Sequence, residues 1–138
     1  MIHPLVNTLM QHDNVVALAH EGFDDFLGEA GDRLALVFLM AEPEKKPETI
    51  DVAVVLMELL KSFPGKLYIG ICDPEQSRAV MPLAKAIALP SLVLFGHTAR
   101  IDMIPKIEDW SVYTDKITSA LRSMGADAQS DAKVSEPA

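Results

Sequence analysis

The segment Leu34-Ala35-Leu36-Val37-Phe38-Leu39-Met40 contains no polar residue. A strand with one wet face alternates apolar and polar side chains, so unbroken apolarity requires cover on both faces. The segment therefore reads as a strand in the middle of a sheet, with helices packed above and below it. Everything else in the chain has to be arranged around that strand.

The flanking sequence supplies the arrangement. Pro4 suits a first helical turn, and a short leading helix is expected over 4–12. Val15-Val16-Ala17-Leu18-Ala19 reads as a short buried strand. Phe23, Phe26 and Leu27 fall at i, i+3 and i+4 and predict an inward-facing helix that Gly28 and Gly31 end. Thr49 is the expected N-cap of a helix running to about Phe63, stopped by Pro64-Gly65. Leu67–Cys72 is the next strand, and Asp73-Pro74 opens a helical stretch to Ile87 that Pro82 should kink. Leu89-Pro90 leads into a strand over Ser91–Phe95, and the alternating Ala99–Ile104 completes a hairpin. Trp110, Tyr113, Ile117 and Leu121 share helical spacing in a last helix from about Asp109 to Met124. Residues 125–138 are small and polar and read as a flexible tail after a single domain spanning 1–124.

This order is β-α-β-α-β-α-β-β-α after the leading helix. Helical crossovers imply parallel strands, and the final hairpin adds an antiparallel edge. The expectation is an α/β, thioredoxin-like three-layer sandwich, a mixed central sheet flanked by helices.

Charge and composition narrow the function classes. The chain carries 20 acidic and 12 basic residues, a net charge of −8. Such a field repels nucleic acid and favours a basic partner, although solubility alone also accounts for it. No apolar run approaches the ~20 residues of a membrane span, and the N-terminus lacks the features of a secretory signal. Cys72 is the single cysteine, which excludes an intramolecular disulfide framework. A cytoplasmic protein without membrane insertion is expected. His3, His12, His20 and His97 show no ligand spacing with one another or with Cys72, and no phosphate-cradling loop appears. No metal and no cofactor are expected.

Three segments could carry function. Where thioredoxins hold their paired cysteines, this chain reads Ala41-Glu42-Pro43-Glu44-Lys45-Lys46-Pro47-Glu48. A redox loop needs one thiolate stabilised at a helix N-terminus and a second to resolve it, and both sulfurs are missing. Glu42, Glu44 and Glu48 read either as a solvated, proline-stiffened loop or as an acidic edge for a basic peptide. Leu89-Pro90 is similar to the cis-proline position of thioredoxins. That resemblance implies a cis bond and a bend that presents backbone to an extended peptide. Val54 and Val55 fall in the polar arc of the long helix among Asp51, Glu58, Lys61 and Ser62, where they could form a docking or dimer surface. Cys72 reads as a small buried hydrophobe. The enzymatic alternative is a single-cysteine redox enzyme acting through it.

Glu58-Leu59-Leu60-Lys61-Ser62-Phe63-Pro64, Ile71-Cys72-Asp73-Pro74-Glu75-Gln76-Ser77 and Leu89-Pro90-Ser91-Leu92-Val93-Leu94-Phe95 together define a more specific pattern. Over residues 15–124 the chain resembles the HyaE/HupG-type accessory proteins of uptake [NiFe]-hydrogenase maturation. The resemblance implies a non-catalytic cytoplasmic chaperone. Its expected partner is the hydrogenase small-subunit precursor, bound through its twin-arginine signal peptide before export, with other maturation proteins as further partners. A homodimer, or a structural subunit of a maturation complex, is the remaining expectation.

Overall fold

The computed structural model describes residues 3–133. Eleven elements follow one another as α1 (Pro4–Leu9), β1 (Val15–Ala17), a 3-10 turn (His20–Gly22), α2 (Phe23–Ala30), β2 (Leu34–Leu39), α3 (Glu48–Ser62), β3 (Leu67–Cys72), α4 (Pro74–Ala84), β4 (Ser91–Gly96), β5 (Ala99–Pro105) and α5 (Trp110–Lys133). The strands form one sheet in the order β1-β3-β2-β4-β5. β1 and β2 run parallel to β3, while β4 is antiparallel to β2 and to β5.

β2 lies between β3 and β4, as its unbroken apolarity requires. Its alternate side chains feed two cores. Leu34, Leu36, Phe38 and Met40 enter the layer under α1, α3 and α5, and Ala35, Val37 and Leu39 enter the layer under α2 and α4. Each of these buried side chains larger than alanine contributes roughly 1.5–3 kcal/mol. The mixed sheet with helices on both faces is the expected three-layer sandwich.

Several boundaries differ from the sequence reading, each for a local reason. α1 ends at Leu9, because Gln11 and His12 donate their N–H groups to carbonyls three residues back and tighten the chain into turns. α2 continues through Gly28 to Ala30 and stops at Gly31, whose φ of 60° suits glycine. α3 begins at Glu48 with Pro47 in the cap position, so Thr49 is no cap. Pro47 already holds a helical φ of −58° and starts the helix before Thr49, whose hydroxyl is buried without a partner. α4 accommodates Pro82 in its last turn and ends at Ala84, before Ile87. Trp110 opens α5 at 44% exposure, so it does not share the buried face of Tyr113 and Ile117. α5 runs to Lys133, into the stretch expected as a polar tail, where Ala126, Ala128 and Gln129 are good helix formers. Residues 134–138, the rest of that expected tail, lie outside the described residues.

Candidate functional site

Parallel strands bring their carboxyl ends to one edge, and loops leaving that edge can enclose a ligand. Here β1, β2 and β3 end together. β1 passes into the 3-10 turn, β2 into the 40–47 loop, and β3 directly into α4. α1 crosses the same end and supplies a wall. Between them lies a groove of ≈ 540 Å³.

The floor of the groove is apolar. Val6 from α1, Leu18 beyond β1, Met40 beyond β2 and Ile71 of β3 line it, and all four are buried. Met10 adds a half-buried side wall. Met10 and Met40 give two unbranched thioethers facing the same space, a lining that adapts to side chains of different shape.

The carboxylates of the lining come from three residues. Glu42 and Glu44 come from the loop and Asp73 from the start of α4. The loop is shaped by Glu42, whose carbonyl accepts hydrogen bonds from Lys45 N–H at 3.0 Å and Lys46 N–H at 2.8 Å. Asp73 caps α4, with its Oδ1 accepting from Gln76 N–H at 2.8 Å. Gln76 ties the other wall, its Oε1 accepting from His20 N–H at 2.9 Å. The Glu42 carboxylate meets Arg78 of α4, with Oε2 at 3.5 Å from Nη1. Glu44 is exposed.

The other expected site residues lie apart from this groove. Glu48 sits in the first turn of α3, where a carboxylate complements the helix dipole. Leu89 packs half-buried against the core under α2 and α4. The Leu89–Pro90 peptide is cis, and Pro90 is buried. The Pro90 carbonyl already accepts a hydrogen bond from Lys106 N–H at 2.8 Å, so that group is occupied within the chain. Ser91 faces Leu39 across the β2–β4 ladder, which puts Pro90 beside Met40 but outside the groove lining. Val54 is 42% exposed, while Val55 packs in part against the core. Adjacent helical positions point about 100° apart, so the two valines share no face.

Sequence reasoning missed His3, Met10, Met40 and Asp73 as site residues. Asp73 carried a usable signal, since it directly follows a buried parallel strand. The methionines carried none, because a methionine at a strand end reads equally as core.

Cys72 has no exposed surface and faces the core under α2 and α4. Burial first, then the neighbouring Asp73 carboxylate, push its thiol pKa up to about 12. The nucleophilic thiolate is therefore scarce at neutral pH. Alkylation of the native protein by iodoacetamide at pH 7.5 is expected to run at least about a hundredfold slower than in denaturant. Equal rates in the two states would restore Cys72 as a reactive group. Among the described residues no three His, Cys, Asp or Glu side chains are grouped to hold a metal, and no helix is long and apolar enough to cross a membrane.

Comparison with solved structures matches the fold. Thioredoxin from Fasciola hepatica superposes with a TM-score of 0.64 at 17% identity, covering 75% of this chain and 96% of that one. A point-mutant thioredoxin from Halobacterium salinarum NRC-1 gives 0.62 at 16% identity, covering 76% and 88%. Sequence comparison is more specific. The hydrogenase expression/formation protein HupG of Bradyrhizobium diazoefficiens is 35% identical over 100 residues, 71% of this chain and 68% of its own length. HupG of Rhizobium leguminosarum bv. viciae is 30% identical over 119 residues, 85% of this chain and 80% of its own. HoxO of Cupriavidus necator is 29% identical over 123 residues, covering 87% and 74%. Residues 5–113 match the family model described as hydrogenase-1 expression protein HyaE, a span that includes the whole sheet and all of the groove lining except His3, and the chain belongs to that family.

Proposed function

We propose that this chain is a non-catalytic accessory protein of hydrogenase maturation. It holds the small-subunit precursor by its twin-arginine signal peptide, in the cytoplasm, before export. The names of the HupG and HoxO relatives, expression/formation proteins, support the general role. The finer reading rests on one observation, a groove with an apolar floor and a rim of Glu42, Glu44 and Asp73. An arginine pair flanked by apolar residues complements both parts. A guanidinium on a carboxylate is among the stronger charge-assisted contacts, and an apolar side chain on the floor adds hydrophobic burial. The 42–48 loop then acts through Glu42 and Glu44, with Glu48 outside the contact. No dimer is proposed through Val54 and Val55, which point apart.

The test is calorimetric titration with the cognate small-subunit signal peptide. Binding is expected at low salt, weaker at moderate salt, and lost when both arginines are replaced by alanine. Binding that ignores salt and the arginines would overturn the reading, as would the absence of any binding.

A further inference from the structure

The groove is not electrostatically empty in the free protein. Its rim holds three carboxylates, and one of them, Glu42, already faces a cation of the same chain. Among the described residues no ion pair reaches Glu44 or Asp73. We propose that Arg78 is an internal competitor beside the groove, occupying Glu42 until the guanidinium of a bound dibasic segment displaces it. This rests on the reading of the groove as a site for a basic, apolar-flanked peptide.

The geometry of the pair supports displacement over a permanent lock. Glu42 is the less exposed partner, with its side chain 32% exposed, while that of Arg78 is 57% exposed. The 3.5 Å separation exceeds the ~2.7–2.9 Å of a well-formed charge-assisted hydrogen bond. Among the described residues Arg78 makes no side-chain hydrogen bond, so the ion pair with Glu42 is what is lost when it turns into water. A guanidinium delivered by a peptide seated on the apolar floor can approach Glu42 with two parallel donors. A lysine ammonium is a compact, strongly hydrated charge without that fork. Replacing Arg78 by an ammonium exchanges one cation for another with no geometric gain. Arg78 thereby weakens every basic peptide that uses Glu42, while the preference for arginine over lysine resides in the fork that a guanidinium presents to the carboxylate.

The experiment is a double-mutant cycle read by calorimetry at low salt. Wild type, Arg78→Gln, Glu42→Gln and the double variant are titrated with a signal peptide carrying Arg-Arg and with its Lys-Lys counterpart. Arg78→Gln is expected to tighten the Arg-Arg peptide by about threefold to fivefold, the worth of an exposed ion pair. The Lys-Lys peptide should gain no more than this, because both peptides are released from the same competitor and the ammonium makes the weaker contact with Glu42. In the Glu42→Gln background the Arg78 substitution should change neither affinity. Lys66→Gln, the same charge change on an exposed residue away from the groove, should also leave both unchanged. A weaker or unaltered Arg78→Gln complex would overturn the proposal. So would an equal gain in the Glu42→Gln or Lys66→Gln proteins, which would assign the effect to net charge. If neither wild type nor Arg78→Gln binds either peptide, the groove reading falls and takes this proposal with it. Should Arg78→Gln fold poorly, Arg78→Met keeps the aliphatic stem and repeats the comparison.

Discussion

Phe38→Ala is expected to destabilise the protein by about 3–5 kcal/mol, against a total stability of roughly 5–15 kcal/mol for a domain of this class. Phe38 has no exposed surface and lies on the central strand, paired with Ile71 on one side and Leu92 on the other. Removing the ring forfeits its transfer energy and leaves a cavity that three paired strands cannot collapse around. Chemical denaturation monitored by circular dichroism measures the loss. A cost below about 1 kcal/mol would mean that the layer under α1, α3 and α5 repacks freely. Truncation to alanine at Ile87, which is 82% exposed, should cost less than about 0.5 kcal/mol and serves as the internal reference.

Reversing both loop carboxylates, Glu42→Lys with Glu44→Lys, is expected to weaken signal-peptide binding by at least about a hundredfold. Each tenfold loss corresponds to about 1.4 kcal/mol, and placing like charges together at an interface costs several kcal/mol. Glu42 and Glu44 both line the groove, so the change replaces attraction with repulsion at two points of the same rim. Glu48→Lys should have a much smaller effect, since Glu48 lies in the first turn of α3 and outside the lining. Equal losses at Glu48 and at the Glu42/Glu44 pair would indicate response to overall charge. Unchanged binding in the double reversal would remove the loop from the site. The variant should remain folded, because the one ion pair that either glutamate makes among the described residues, Glu42 with Arg78, is an exposed contact of the kind worth about 0–1 kcal/mol.

The architecture was readable because its signals are local. Seven consecutive apolar positions in and beyond β2 can only be accommodated between two layers, and the cap at Asp73-Pro74 is written within four residues. The groove was not readable, because its walls come from separate parts of the chain. His3 and Met10 reach it only through the packing of α1 across the sheet end, which no short-range pattern records. Three glutamates within one loop looked equivalent in sequence. The start of α3 separates them, carrying Glu48 away while Glu42 and Glu44 stay on the rim. Val54 and Val55 failed as a common surface for a similar reason, the rotation between adjacent helical positions. The bend at Pro90 was identified by resemblance, yet the use of its carbonyl by Lys106 depends on the β5–α5 connection folding back.

The burial of Cys72 has a kinetic consequence for anything this protein holds. With its thiol enclosed between β3 and the helices, the chain cannot trap a client as a mixed disulfide. Its residence time is then set by non-covalent contacts alone. A complex of micromolar affinity that forms at about 10⁶ M⁻¹s⁻¹ dissociates about once per second. Hand-over to the next component would then need no reductant, only a competitor with a slower off-rate.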